Sequence, residues 1–434
     1  MTNAKLSEVG SAGIAETREA GAPSAAERRS SSLGAFLRYF LYLGAVGFGG
    51  PIALAGYMQR DLVEERRWIT DRDYREGLAL AQLAPGPLAA QLAMYLGWVR
   101  ARALGATLVG VTFVAPSFLM VLALSALYVR YGGLSWIRGA FYGVGAAVIA
   151  IIARSAYKLV RKTVGNDWLL WLLFAVSALV TAWTESEIFW VFVASGLAAM
   201  FVKAPPRSLA GVRRSVVEEG AAERRALALM PLLQAPGWKL PGWVVSGLAG
   251  PATAGVLGTI LWYFTTAALF VFGSGLAVVP FLHGGVVQRF HWLTERQFLD
   301  AVAVSMITPG PVVITVAFIG YLVAGVAGAV LAAIGIFTPV YLTVVLAAPY
   351  FHRFAKNRSV KAFVDGVTAA ATGAIAGATV VLGRRAIIDL STVLIAAATF
   401  GLLLTAKRLP EPVLIIVAGV AGIAIRGVAL PGAP

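Results

Sequence analysis

The stretch LALAQLAPGP, Leu78–Pro87, sets Pro85-Gly86-Pro87 inside an apolar run, and TPGP at Thr308–Pro311 repeats the motif 224 residues on (309 − 85 = 224). In a helix interior proline costs about 3 kcal/mol and glycine about 1 kcal/mol relative to alanine. Two prolines around a glycine therefore break a helix rather than bend it. At membrane depth such backbone is tolerated only where protein buries it or it lines a wet cavity. The same shift of 224 joins Phe48-Gly49 to Phe272-Gly273, Trp68 to Trp292, Thr70 to Thr294, Glu76 to Asp300 and Phe113 to Phe337. At a shift of 223, Gly143-Val144 matches Gly366-Val367 and Arg161-Lys162 matches Arg384-Arg385. A tryptophan, a Pro-Gly-Pro and an acid in one register mark an internal duplication, the pattern expected of secondary transporters.

Composition places this duplication in a membrane. Of 434 residues, 59% are hydrophobic and 13% charged, against about 25% charged in a soluble domain. Too few polar side chains remain to cover a water-soluble surface, and the mean hydropathy is +0.79. The excess of 36 Lys+Arg over 21 Asp+Glu gives +15. In a polytopic chain that charge collects in cytoplasmic loops. No basic helix with interleaved aromatics points to nucleic acid, so none is expected as a partner. The chain has no cysteine, which excludes disulfides, thiolate metal sites and thiol catalysis. His283, His291 and His352 are too scattered for a metal site. Motifs of metalloproteases, phosphate-binding loops and nucleophile elbows are missing. No metal, cofactor or catalytic residue is expected.

About 20 apolar residues make a crossing. The first half offers Phe36–Met58, Leu78–Val99, Leu104–Tyr128, Gly139–Leu159, Trp168–Trp183 and Ile188–Val202. The second offers Thr259–Leu282, Leu299–Val323, Val326–Ala348, Ala362–Leu382, Leu390–Ala406 and Pro412–Ile425. The expected organisation is a disordered cytoplasmic tail at 1–33, a repeat at 34–202, a partly basic cytoplasmic linker at 203–258 and a second repeat at 259–428. The fold class is all-α and polytopic, with two homologous repeats of about 5–7 membrane helices and broken helices at the centre. Basic clusters alternate oppositely in the two halves: Arg154, Lys158, Arg161 and Lys162 follow the fourth span of the first, and Arg353, Lys356, Arg358 and Lys361 the third span of the second. The positive-inside rule therefore favours inverted repeats, although Arg384 and Arg385 argue the other way. Six crossings per half would make the repeats parallel, so inversion needs a crossing near the linker or a re-entrant segment in each half.

Three groups of residues carry the candidate chemistry. Gly47-Phe48-Gly49-Gly50-Pro51 and its counterpart Phe272-Gly273-Ser274-Gly275 interrupt apolar segments, either as kinks and close helix contacts or as site backbone. Pro85-Gly86-Pro87 and Pro309-Gly310-Pro311 each create a new helix amino terminus, whose free N–H groups suit an anion; Gln91 and Thr315, one turn on, could add donors. Glu76 and Asp300 stand nine residues before each Pro-Gly-Pro, as proton-coupling candidates or as ordinary first-turn acids. Arg130, Arg154 and Arg384 could supply countercharge, or snorkel to headgroups.

With these motifs in view the chain resembles the chromate ion transporter family in its long, two-domain form. The resemblance rests on GFGGP at Gly47–Pro51, Trp68, LALAQLAPGP at Leu78–Pro87, Gln91 with Gly97, and Phe113 with Pro116. In the second half it rests on FGSG at Phe272–Gly275, TPGP at Thr308–Pro311, and Phe337 with Pro339. It covers about Phe36 to Arg385. It implies export of chromate, driven by the proton or another ion gradient, and hence chromate resistance in a bacterial-type inner membrane. Sulfate, an isosteric dianion, is the natural competitor. Many members place a histidine just after GFGGP, whereas this chain reads Ile52-Ala53-Leu54, so no proton role there carries over. The partners implied are a small oxyanion and the lipid bilayer. A homodimer is compatible with the sequence, which fixes no oligomeric state. A membrane-embedded reductase or scaffold is the reading from another class, and a reductase would need a cofactor site the residues do not offer.

Overall fold

The computed structural model describes residues 32–48, 50–132, 134–184, 189–204, 244, 246–248, 250–269, 271, 278–350, 357–405 and 410–426. The first half comprises α1 (Leu33–Val46), α2 (Gly50–Met58), α3 (Asp71–Leu83), α4 (Leu88–Tyr131), α5 (Ser135–Thr163), α6 (Trp168–Thr184) and α7 (Phe189–Lys203). The second comprises α8 (Ala254–Ala268), α9 (Val278–His283), α10 (Glu295–Ile307), α11 (Thr315–Ala347), α12 (Arg358–Ala386), α13 (Leu390–Thr405) and α14 (Glu411–Arg426). Among the described residues the only sheet is a ribbon of two-residue strands, Ser246–Gly247 with Gly250–Pro251. The chain is an all-α polytopic membrane protein of two homologous repeats.

The duplication seen in the sequence is repeated in backbone detail. A π-helical turn follows α2 at Gln59–Glu65 and α9 at Gly284–Arg289. Arg67 and His291 both take a left-handed φ, 51° and 49°. Thr70 and Thr294 then cap α3 and α10 by accepting from the amides of Asp73 and Gln297 at 3.1 and 3.3 Å, satisfying donors that a helix start leaves open.

The structure corrects the expected spans Phe36–Met58, Leu78–Val99, Thr259–Leu282 and Leu299–Val323. Each is a hairpin that turns back. In a straight helix, residues 39 and 66 would lie about 40 Å apart at 1.5 Å per residue. Instead the Arg66 guanidinium lies 5.3 Å from the Tyr39 ring centre, and Phe36 lies 6.2 Å from Trp68. In the second half Tyr263 stacks on Phe281 at 5.5 Å. The Tyr95 hydroxyl of α4 reaches Glu76 of α3 at 3.5 Å, and a Cβ on Gly77 would strike the Tyr95 ring. Apolar arms on both sides of a glycine or proline break thus read as one span by hydropathy, which carries no information on direction.

The chain then reverses once more. Ala101 and Arg102 leave helical geometry, as do Ala324 and Gly325 in the other half. Across the first bend Gly97 faces the Gly105 carbonyl; across the second Gly320 faces the Gly328 carbonyl; neither approach has room for a side chain. The helices beyond these bends are crossing helices. Among the described residues four helices are long and apolar enough to span: Leu88–Tyr131, Ser135–Arg161, Val312–Ala347 and Arg358–Ala386. Five shorter apolar helices accompany them.

Helices α4 and α11 lie against each other antiparallel, with Tyr128 also 5.3 Å from Phe318. Thr107, near the start of the crossing part of α4, bonds the Tyr341 hydroxyl near the end of α11 at 3.0 Å. Tyr128, near the end of α4, bonds Asp300 near the start of α10 at 2.7 Å. The halves also exchange helices. Helix α5 packs on α13 and α14, while α12 packs on α6 and α7. Glycines allow the close contacts that stand in for hydrophobic drive in lipid: Gly143 lies on the Ala418 carbonyl, Gly366 on Ser195, and Gly373 on the Phe174 carbonyl. At one end of α5, Tyr142 donates to Asp389 at 2.5 Å. That bond, with two from Thr392, holds the Asp389 carboxyl down to about 2.

Substituting Gly97 or Gly320 with valine should overpack the bends and cost about 1–3 kcal/mol each. Gly56→Ala and Gly258→Ala, where nothing stands within 4 Å, should be neutral or stabilising. Thermal unfolding in detergent measures the difference; equal midpoints for all four variants would contradict the close approach.

Candidate functional site

The prolines decide the local structure of each tip. Helix α3 ends at Leu83, because Pro85 and Pro87 offer no amide to continue the ladder. Helix α4 starts at Leu88 with Pro87 in the cap position and no side-chain cap. The second copy restarts through a 3-10 turn, Val312–Ile314, that leads into α11. Between the prolines, Gly86 and Gly310 take φ of +138° and +94°, a conformation that glycine alone adopts without strain.

The four tips meet at the centre and bind one another reciprocally. The Gly86 N–H donates to the Val271 carbonyl at 2.5 Å, and the Gly310 N–H donates to the Gly47 carbonyl at 2.9 Å. Donors and acceptors are equivalent pairs, since 310 − 86 and 271 − 47 are both 224. Each Pro-Gly-Pro tip is thus pinned to the glycine-rich break of the opposite half. Ser117 adds a bond to the Gly44 carbonyl at 3.2 Å, beside Gly310.

Beside this crossing lies a cavity of about 830 Å³. Gly47, Phe48, Gly50, Pro51 and Gly310 line it, as do Leu88 and Val312, the first residues after each Pro-Gly-Pro. Gly50 begins α2, so the starts of α2, α4 and the turn into α11 converge on one space. Open amides and the positive ends of helix dipoles come with them. Polar and charged side chains also line it: Lys158 of α5, Lys361 and Asp365 of α12, and Glu411 of α14, with Gln82, Thr163, Thr308 and Thr368.

The remaining sequence-predicted residues fall elsewhere. Pro85, Gly86, Pro87, Pro309 and Pro311 build the tips and are not on the cavity wall. Gln91 is buried; its amide nitrogen donates to the Pro85 carbonyl at 2.6 Å, and its Oε1 is buried with no hydrogen-bond partner. Thr315 is buried and donates to the Val312 carbonyl at 2.8 Å, closing its own turn. Glu76 sits at the far end of its hairpin, paired with Arg72 at 2.9 Å. Asp300 is 4% exposed and takes the Tyr128 hydroxyl. Neither acid reaches the cavity. Arg154 pairs with Glu411 at 3.8 Å, Arg130 lies over the Tyr131 ring, and Arg384 is exposed. Gly49, Phe272, Gly273, Ser274 and Gly275 lie outside the described residues. Sequence reading missed Lys158, Lys361, Asp365 and Glu411 as site residues. They come from three helices and follow no common spacing, and Lys158 and Lys361 read as loop charge.

Two homologous repeats, hairpins broken at glycine and proline, and a polar cavity beside the crossing of the broken ends are the arrangement expected of a membrane transporter of the two-repeat type. The chain belongs to the chromate transporter family. The model of that family, described as "Chromate transporter", matches residues 34–200 and 258–423. The chain is 56% identical over 393 residues to the chromate transport protein of Cupriavidus metallidurans, covering 89% of this chain and 91% of that one. It is 55% identical over 393 residues to a probable chromate transport protein of Synechococcus elongatus, covering 90% and 95%. It is 33% identical over 352 residues to the chromate transport protein of Pseudomonas aeruginosa, covering 80% of each. No solved structure matches the chain significantly.

Gly86→Ala and Gly310→Ala should each cost about 1–3 kcal/mol of stability, the usual cost of a left-handed strain. Both should also cut chromate flux in reconstituted vesicles by more than about tenfold, because a shifted tip breaks the reciprocal bond. Wild-type flux and midpoint in both variants would refute the pinning.

Proposed function

We infer that the chain exports chromate across a bacterial-type inner membrane, driven by an ion gradient, and so confers chromate resistance. The observation that carries this reading is the convergence of Gly50, Leu88 and Val312 on one cavity at the crossing of the tips. Amides at a helix start bind a tetrahedral dianion without carrying a competing negative charge. The names of the relatives favour chromate among such ions. Sulfate fits the same amides in shape and charge, and it is the second reading.

Magnitudes limit what the backbone contributes. A helix terminus is worth up to about 2 kcal/mol to a charge in a partly buried setting. Taking an ion out of water costs several kcal/mol even after relaxation. The dianion therefore binds with part of its hydration shell, and the cavity is roomy enough for that.

The halves would lie in the membrane with opposite orientations, so the site at their crossing opens to one side and then the other as the halves rock. The transport units are 34–202 and 259–428, joined by 203–258. Glu76 and Asp300, equivalent positions at opposite ends, are the coupling groups: each ties one hairpin arm to the protein around it, and its proton state sets how firmly.

Everted vesicles with labelled chromate and an imposed proton gradient should accumulate the ion. Excess sulfate should compete weakly, and Glu76→Gln with Asp300→Asn should abolish the dependence on the gradient. No uptake would overturn export; stronger competition by sulfate than by chromate itself would reassign the substrate. The cysteine-free chain also allows a clean test of orientation. Asn166→Cys and Ile388→Cys should react with an impermeant thiol reagent from opposite faces of the membrane; labelling from one face would exclude inversion.

A further inference from the structure

The cavity at the tips holds two ammonium groups that no motif announces. Lys158 comes from the first half and Lys361 from the second. Among the described residues neither takes part in a salt bridge. The other lysine whose side chain is described, Lys203, does pair, with Asp167. One turn before Lys158, Arg154 pairs with Glu411. Asp365 stands four residues after Lys361, on the same face of α12.

Lys158 has no basic counterpart in the other half, whereas Lys361 does. At the shift of 223, Lys158 corresponds to Val381, and Lys361 corresponds to Arg138. Lys158 is therefore particular to the first half, while Lys361 stands at a position that is basic in both halves. The cavity is lined by Lys158, Lys361, Asp365 and Glu411, two basic and two acidic side chains. A dianion entering it meets both cations together with the dipoles of the broken helices.

We propose that Lys158 and Lys361 are the side-chain ligands of the transported oxyanion, and that Glu411 and Asp365 lower its affinity enough to permit release. This rests on the reading of the chain as an oxyanion transporter. The lysines supply the countercharge that helix ends lack. Lysine suits a site that must let go, because its single charged point forms no bidentate fork. The two carboxylates repel the dianion and keep the vacated lysines balanced.

Calorimetric titration of the purified full-length chain with chromate, and separately with sulfate, at constant ionic strength tests this. Lys158→Gln and Lys361→Gln should each weaken chromate binding by about tenfold, and the double variant by about a hundredfold. Lys158→Arg should bind within about threefold of wild type, and Glu411→Gln should bind severalfold tighter. Wild-type affinity in the Gln variants would overturn the assignment and leave the transport reading standing. A wild-type chain that binds neither chromate nor sulfate would overturn the transport reading itself. If a Gln variant fails to elute as a folded species, Lys158→Arg and Glu411→Gln decide; unchanged affinity in Glu411→Gln then counts against the proposal.

Discussion

Two hydrogen bonds hold the centre of this protein, and each exists because a proline has removed its competitor. With Pro85 and Pro87 in place no helix can run through Gly86, so its amide is free to reach the Val271 carbonyl. The same holds for Gly310 and Gly47. An unpaired amide at membrane depth would cost several kcal/mol, so each broken tip requires the opposite half. The symmetry of the pair means that neither half satisfies its own backbone. The cavity, the converging helix starts and the opposed hairpins all follow from that mutual dependence.

Charge is arranged around this centre in two layers. The inner layer is backbone, repeated in both halves and set by glycine and proline. The outer layer is side chain: Lys158, Lys361, Asp365 and Glu411 line the same cavity. Duplication accounts for the first layer and only in part for the second, where Lys361 and Arg138 share a register.

Much of this was legible in the sequence, and what escaped it did so for definable reasons. The register of 224 tied Pro-Gly-Pro, tryptophan and threonine of one half to those of the other, and the structure repeats that register down to the left-handed residues Arg67 and His291. Direction within an apolar run was invisible, because fourteen residues of α1 and nine of α2 sum to the length of a single crossing. Gln91 and Thr315 looked free from their position one turn beyond the break, yet each closes its own turn. The charged wall was illegible because its members are assembled only by the exchange of helices between halves.

That exchange has a consequence for how the chain is made. Helices α5, α6 and α7 leave the ribosome before the helices of the second half that cover them, since α12 packs on α6 and α7, and α13 and α14 on α5. Their small-residue grooves around Gly143 and Gly196 meet partners at Ala418 and Phe363, which follow 275 (418 − 143) and 167 (363 − 196) residues later in the chain. Insertion and folding are thus separated in time, and the first half passes through an interval as an open half-shell whose contacts are lent by lipid or by the insertion machinery. The interlocked architecture exchanges speed of assembly for a centre that neither half can complete alone.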